Sequence, residues 1–241
     1  MQKHLWVLMT VVMLLALVPV ASQADDDTFF TDFTEYTDGQ QPSDWTERWN
    51  PAHQSAVVDN DTLVVSRGTN AFRYALSWDA VGEPDGDVEI AYRFKMTTPL
   101  VNWGGGGGVV RGDHTNPALI WTGLTGYTGG QQATTSTVSY WSIGAQNTSH
   151  ANSVTMLSMA ATPTVIQAGT WYVYRMRIVG NQIEQMVYAD GSTPPGWMGT
   201  ATLTSPLGAG WVGLWRGAGL GDLVIDWYAV RLNGEPAPIP E

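Results

Sequence analysis

Two carboxylates with a spacing suited to acid–base chemistry occur at Asp87 and Glu89. Side chains two residues apart on a β-strand point to the same face of a sheet, and hydrolysis of a glycosidic bond uses two carboxyl groups. Arg93 and Lys95 follow at the same spacing and alternate with apolar residues, which is the pattern of a strand with one face in water. The pair therefore predicts a solvated sheet face rather than a catalytic centre, and no catalytic residue is assigned.

Other reactive side chains are sparse. Three histidines lie beyond the N-terminal segment, His53, His114 and His150, and they are spread through predicted loops without the spacing of metal ligands. The chain has no cysteine, which excludes disulfides, zinc–thiolate sites and cysteine nucleophiles. Arg111-Gly112-Asp113 spells an integrin-type tripeptide, but a three-residue match occurs often by chance.

Tryptophan is the most distinctive residue type, with 12 in 241 residues. An aromatic face can pack against the apolar face of a sugar ring, and an aromatic residue in a loop is better placed for this than a buried one. Tryptophans in predicted strands are expected in the core: Trp171, Trp211, Trp215 and Trp227. The expected ligand-binding residues are the tryptophans that are better candidates for exposure: Trp103 beside the glycine tract, Trp121, Trp141, and Trp197 in a predicted loop.

The elements that must position these residues are strands. The hydrophobic period is two along most of the chain, and no amphipathic helix is predicted. Short breaks separate the apolar runs, including a hairpin turn at Gly180-Asn181. Residues 102–108 and 124–135 are rich in glycine or in Gly, Thr and Gln and are predicted to be loops. The predicted strands cover residues 28–36, 55–58, 62–66, 72–78, 87–96, 137–143, 154–159, 171–179, 182–188, 211–215 and 222–231.

The N-terminus has the pattern of a signal peptide. Lys3 precedes an apolar run over residues 5–18, and Ser22 and Ala24 occupy the small-residue positions of a cleavage site. The run is shorter than the about 20 residues that a membrane span needs. We therefore expect a secreted or periplasmic protein. Its expected parts are a leader at 1–24, one domain at 25–234 and a proline-rich tail at 235–241.

The chain is acidic, with a net charge of −11, which becomes −12 when the predicted leader and its one basic residue are removed. An acidic surface repels phosphate backbones and anionic lipid headgroups. We therefore expect neither nucleic acid nor a membrane surface as a partner, and a polyanionic glycan only where a local basic groove exists. Few residues are charged, while Gly, Thr and aromatic residues are abundant, and this composition favours an all-β fold.

Both ends of the expected domain resemble the concanavalin A-like (laminin G-like) jelly-roll superfamily. Residues 30–39 and 42–46 are similar to its opening strand and turn, and residues 169–181, 210–214 and 226–230 are similar to its closing strands. The resemblance implies an all-β fold, an antiparallel two-sheet β-sandwich of the concanavalin A-like jelly-roll type.

The resemblance also implies what such a domain can do. Domains of this superfamily bind glycans, act on glycans, or build surface and virion structures. The glycosidase motif Glu-x-Asp-x-x-Glu is missing, and so is the lyase motif Arg-x-Glu-x-Arg, because no Glu lies between Arg175 and Arg177. Domains of this fold often hold calcium where the first and last strands meet, and the matching metal ligands here are Asp32 and Asp226.

The expected function is therefore a secreted non-catalytic carbohydrate-binding or adhesion module with a structural Ca²⁺. Its partner would be an extracellular glycan, with self-association as a further property. Two alternatives stay open: a structural, self-assembling extracellular or virion surface protein, and a glycan-active hydrolase or lyase with an unrecognised catalytic set. The abundant aromatic residues and the missing catalytic motifs favour the first interpretation.

Overall fold

Alternating apolar side chains along the chain build two antiparallel sheets that pack face to face. The all-β, two-sheet sandwich predicted from the sequence is confirmed by a computed structural model. Among the residues it describes, no helix is long and apolar enough to cross a bilayer. The structure describes residues 27–49, 55–66, 74–99, 106–112, 126–132, 135–142, 153–161, 165–204, 208–216 and 221–240.

One sheet has eight strands. They are β1 (Thr28–Thr31), β3 (Ser55–Val58), β4 (Leu63–Ser66), β6 (Val88–Met96), β11 (Tyr172–Val179), β12 (Gln182–Ala189), β13 (Gly199–Thr202) and β15 (Leu223–Leu232). Their order is β13-β12-β11-β6-β15-β4-β3. β4 pairs with the first part of β15 and β1 pairs with the second part, so the neighbour of β15 changes beside Asp226.

The other sheet has seven strands. They are β2 (Trp45–Trp49), β5 (Tyr74–Trp78), β7 (Gly106–Gly112), β8 (Gly126–Gln132), β9 (Thr135–Ser142), β10 (Ser153–Ala161) and β14 (Trp211–Arg216). Their order is β10-β9-β8-β7-β14-β5-β2. The 3-10 turn Asp79–Val81 follows β5 directly.

Aromatic residues contribute to the contact between the two sheets, where the ring centre of Tyr228 lies 5.1 Å from that of Trp45 on the other sheet. The rings of Tyr92 and Tyr228 stack with their centres 5.5 Å apart, and the ring centre of Tyr174 lies 5.0 Å from that of Tyr92. Burial raises the pKa values of Tyr92 and Tyr228, so both hydroxyls stay protonated. The Tyr228 hydroxyl donates a 2.9 Å hydrogen bond to the carbonyl of Gly213 on the opposite sheet. This bond satisfies a buried polar group and links the sheets.

The glycine-rich segments predicted as loops form strands instead. β7 begins within predicted loop 102–108, and β8 lies within predicted loop 124–135. The reason in β7 is close packing, because a Cβ at Gly108 would overlap the side chain of Ile90 on the facing sheet. Glycine here provides room for the core rather than backbone freedom.

One strand boundary and two short strands also differ from the prediction. The first strand ends at Thr31 because Phe33 adopts a left-handed backbone with a φ of 63°. β2 and β13 were not predicted, since each is short and lies beside proline and glycine. The remaining predicted strands are present, with shifts of one or two residues at their ends.

The chain turns back on itself after β15. Asn233 and Gly234 both have positive φ values, 64° and 76°, and they reverse the direction of the backbone. Residues 235–240, the C-terminal tail, then run without regular secondary structure over the outer face of the eight-stranded sheet. Ala237 is buried there against outward-facing residues that include Ala91 and Ala229.

Candidate functional site

Charged side chains alternate in sign across the outer face of the eight-stranded sheet. Glu89 lies in register with Arg231 on one side and Arg177 on the other, and Arg177 lies opposite Glu184. Opposite charges in such cross-strand positions stabilise strand pairing. These four residues, here called the charged row, cross β15, β6, β11 and β12 on the outer face of the sheet.

Glu89 is the buried member of the charged row, with 1% of the residue exposed. Arg175 donates a 2.6 Å hydrogen bond from Nε to its Oε1, and the backbone of Ala237 in the C-terminal tail faces the carboxylate. Burial raises the pKa of Glu89, and the charge of Arg175 offsets only part of this effect. The predicted solvated face is therefore wrong at Glu89, because the tail folds back over it.

The second carboxylate of the predicted pair is held elsewhere. Asp87 accepts a 2.6 Å hydrogen bond from the backbone N–H of Gly180 in the β11–β12 turn. Its backbone carbonyl accepts a 2.9 Å bond from Asn233. Asp87 thus fixes two chain reversals at one end of the sheet, while Glu89 is bound to Arg175 beneath the tail.

A second group of polar side chains surrounds Trp171 at the other end of the same face. The Cζ atom of Arg93 lies 4.6 Å from the ring centre of Trp171, and the Nζ atom of Lys95 lies 4.4 Å from it. The guanidinium of Arg93 is held by Asp190 and Asp226, each at 2.8 Å. These five residues are called the Trp171 site. It combines an aromatic surface with fixed donors and acceptors.

The Trp171 site is partly open to water. Partial burial disfavours the charge of Arg93, but its hydrogen bonds to Asp226 and Asp190 raise its pKa overall. Both hydrogen bonds from Arg93 use the Oδ2 atom of the aspartate, so each Oδ1 can accept a hydrogen bond from another donor. About a third of each aspartate side chain is exposed. A ligand with several hydroxyls could therefore contact the tryptophan ring, the guanidinium and the two carboxylates of this site together.

Trp197 forms a third group beside the charged row. It lies between β12 and β13, is half-buried, and packs against the cluster that contains Ala237. The Cζ atom of Arg177 lies 4.2 Å from its ring centre, and that of Arg175 lies 5.7 Å away. Of the four predicted ligand-binding tryptophans, Trp197 is the one whose side chain the structure describes. A role in binding stays a prediction.

Among the other three predicted ligand-binding tryptophans, the structure describes only the backbone of Trp141. Trp103 and Trp121 lie outside the described residues. Trp141 lies on β9, where it pairs in register with Gly126 and Val154, and only its backbone is described. Since β9 belongs to the seven-stranded sheet, Trp141 and Trp197 are on different layers of the sandwich.

The remaining motifs of the sequence do not build a site among the described residues. His53, His114 and His150 lie outside the described ranges, and so does Asp113 of the tripeptide. Arg111 is buried in β7, and its Nη2 donates a 3.0 Å hydrogen bond to the carbonyl of Gly86. Its guanidinium therefore serves the packing of the seven-stranded sheet.

The predicted calcium ligands are close in register but are bound to other partners. β1 ends with Thr31 opposite Tyr228, which places Asp32 near the bulge of β15 that contains Asp226. Asp32 accepts a 2.7 Å hydrogen bond from the hydroxyl of Thr34, which lowers its pKa, and Asp226 pairs with Arg93. In the structure Asp226 is paired with Arg93, so a calcium ion at these two carboxylates would have to displace that guanidinium. No group of three or more His, Asp or Glu residues that could hold a metal occurs in the part of the chain that the structure describes.

The Trp171 site was not predicted from the sequence, because Trp171 was expected to be buried. Trp171 is only half-buried, whereas Trp211, Trp215 and Trp227 are buried as expected. The alternation of β11 contained the needed signal. Tyr172 points into the core, so the residue before it points outward with Val173.

Comparison with solved structures supports the fold, whereas comparison with known sequences finds no match. The sequence matches no protein-family model and no curated protein sequence. The solved structures that resemble it include the carbohydrate recognition domain of Emp47p, with a TM-score of 0.57 and 10% identity over 87% of this chain and 96% of that one. The exoplasmic/lumenal domain of VIP36, bound to Ca²⁺ and Man3GlcNAc, has a TM-score of 0.57 and 13% identity over 89% and 92% of the two chains.

A lectin is also among the solved structures that resemble this chain. Lectin I-B4 from Griffonia simplicifolia, in its metal-free form, has a TM-score of 0.52 and 7% identity over 86% of this chain and 99% of that one. The chain therefore has the concanavalin A-like jelly-roll fold, as its two ends predicted. At identities this low the likeness concerns the fold, and any activity must be argued from the site.

Proposed function

We propose that this protein is a secreted, non-catalytic carbohydrate-binding module that holds its glycan on the outer face of the eight-stranded sheet. The observation that carries the proposal is the Trp171 site, where a half-buried tryptophan lies beside an arginine fixed by two aspartates. Sugar rings present an apolar face and a rim of hydroxyls. An aromatic surface with donors and acceptors at its edge matches both features.

The arrangement of the polar groups supports recognition rather than simple surface packing. Arg93 is held at two of its edges, so little side-chain freedom remains to be lost when a ligand binds. The Oδ1 atoms of Asp190 and Asp226 are available to accept hydroxyl protons. Hydrogen bonds to charged acceptors are stronger than those between neutral groups, which suits a shallow site.

The comparisons add support of a different kind. Emp47p is represented by its carbohydrate recognition domain, and VIP36 by a form with bound Man3GlcNAc. Both have the same architecture over nearly the full length of this chain. The non-catalytic part of the proposal is supported by Asp87, which binds backbone at two turns, and by Glu89, which is buried and bound to Arg175.

A glycan array tests the proposal directly. The wild-type protein should bind a defined set of glycans, and Trp171→Ala should lose that binding while keeping the wild-type unfolding temperature. Trp197→Ala tests the other predicted ligand-binding residue on this face, because Trp197 is also a half-buried tryptophan stacked on arginine. If the wild-type protein binds no glycan on the array, the proposal is overturned. If Trp171→Ala binds as tightly as the wild type, the proposed location of the binding site is overturned.

Export and calcium belong to the same proposal and have their own tests. N-terminal sequencing of the protein recovered from the medium or periplasm should begin at Asp25, directly after the predicted leader. VIP36 occurs in calcium-bound and metal-free forms, and Lectin I-B4 in a metal-free form. Calcium at Asp32 and Asp226 would require Asp226 to release Arg93. Calorimetric titration of the chelated protein with Ca²⁺ should then show heat, and absence of heat would remove calcium from the proposal while leaving the Trp171 site in place.

A further inference from the structure

The four cations beside Trp171 and Trp197 differ in one respect. Arg93, Arg175 and Arg177 each form an ion pair with at least one carboxylate. Lys95 forms none within the described part of the chain, where its ammonium instead lies against the ring of Trp171. Lys95 is also the only lysine beyond Lys3.

This isolation is notable because carboxylates are abundant. The chain has 22 acidic residues and 11 basic residues, and two of the aspartates belong to the same site as Lys95. Both of those aspartates are bound to Arg93 instead. An ammonium has three donors and no acceptor, and contact with one aromatic face leaves donors to spare. The site therefore contains two cations and two carboxylates, but both carboxylates bind Arg93, and the ammonium of Lys95 has no carboxylate partner among the described residues.

We infer that the Trp171 site takes an anionic sugar residue, with Lys95 as the partner of its charged group. The inference rests on the proposed function and names the class of glycan: a sugar that carries a single carboxylate or sulfate ester. The sugar ring lies against Trp171, the anionic group accepts hydrogen bonds from Lys95, and the hydroxyls meet Arg93 and the two aspartates.

The neighbouring acids limit how much charge the glycan can carry. Asp190 and Asp226 repel a second anionic group placed near the first, and the net charge of the whole protein repels a densely charged polymer at longer range. The glycan that fits is therefore mostly neutral, with anionic residues at intervals. A glycan of this class can bind Lys95 without strong repulsion from the acidic surface of the protein.

Matched glycans and two variants of one residue test the inference. The probes are oligosaccharides with glucuronate side groups, the same oligosaccharides after reduction of the carboxylates to alcohols, and sulfated oligosaccharides of the same backbone. The wild-type protein should bind the anionic forms about tenfold more tightly than the reduced form, since a charge-assisted hydrogen bond is lost. Lys95→Met should abolish this preference, and Lys95→Arg should retain part of it.

The outcomes separate the inference from the proposed function. If the wild-type protein binds the glucuronate, reduced and sulfated forms with the same affinity, the inference is overturned and the proposed function stands. An anionic preference that survives Lys95→Met also overturns it. Absence of binding to every probe and to every neutral glycan overturns both. Tighter binding of the glucuronate form assigns the charge to a carboxylate, and tighter binding of the sulfated form assigns it to a sulfate.

A labelling experiment provides a readout at the residue itself. Reductive methylation with ¹³C-formaldehyde keeps the charge of lysine and gives a signal for Lys95 that is identified by its absence in Lys95→Arg. The ring of Trp171 should shift this signal, and the shift should disappear in Trp171→Ala. The bound anionic glycan should move the Lys95 signal in a saturable way, whereas the reduced glycan should not. A signal that no anionic glycan moves contradicts the inference.

Discussion

Arg175 donates a 2.6 Å hydrogen bond to the carboxylate of Glu89, beneath the C-terminal tail. The two residues belong to neighbouring strands and lie one diagonal step apart in the register of β11 and β6. The carboxylate is almost fully buried, while 14% of the arginine side chain is exposed. The pair therefore joins the middle of the sheet to the tail, close to the ring of Trp197.

Removal of the arginine from this pair should be costly. Arg175→Met leaves Glu89 buried without its cation, which typically destabilises a protein by about 3–5 kcal/mol. Arg177→Met is the matched control, because its partner Glu184 is 20% exposed and can be solvated instead. That control should cost about 1 kcal/mol or less. Urea denaturation of both variants checks the difference, and equal losses would show that the Glu89 pair is not special.

The raised pKa of Glu89 gives the stability a pH dependence with a definite sign. A carboxyl with a higher pKa in the folded protein than in the unfolded chain binds its proton more readily when folded. Its contribution is complete below the unfolded pKa and is lost as the pH rises through the folded value. The wild-type protein should therefore gain stability relative to Glu89→Gln as the pH falls from neutral towards 4.5, the ordinary value for this group. Thermal unfolding of both proteins across this range measures the effect, and parallel curves would contradict it.

The C-terminal tail should contribute to stability through Ala237. Ala237→Glu places a charged side chain into a closely packed position beside the buried Glu89, and we expect a loss of about 1–3 kcal/mol with release of the tail. Ile239→Glu changes an exposed residue of the same tail and should stay within about 0.5 kcal/mol of the wild type. Chemical denaturation provides the free energies of unfolding. Similar values for the two variants would mean that the tail does not dock at Ala237.

The fold was predictable from sequence because a period of two dominates it. The alternation of β6 places five apolar residues in the core and the charged residues outside, and the hairpin about Gly180-Asn181 occurs as predicted. β7 was missed because a glycine tract carries no periodic signal. Whether glycine marks a loop or a close approach depends on the facing sheet, which local sequence does not reveal.

The site was less predictable for a related reason. Alternation indicates which face a side chain takes, but not what later covers that face. Glu89 has the pattern of a solvated residue and is buried by a tail about 150 residues away in the sequence, through the turn at Asn233 and Gly234. Arg93 meets Asp190 and Asp226 only after β6, β12 and β15 are assembled. Contacts of this kind follow from topology and not from local pattern.

The central claim, that a glycan contacts Trp171 on the outer face of the eight-stranded sheet, is tested most directly by ¹⁹F NMR of protein labelled with 5-fluorotryptophan. Trp171→Phe assigns the Trp171 resonance by its absence, and Trp197→Phe does the same for Trp197. Titration with the glycan selected on the array should shift the Trp171 resonance with the same dissociation constant as binding, and should leave buried tryptophans such as Trp45 and Trp211 unchanged. Shifts confined to other tryptophan resonances, with Trp171 unmoved at saturation, would contradict the account.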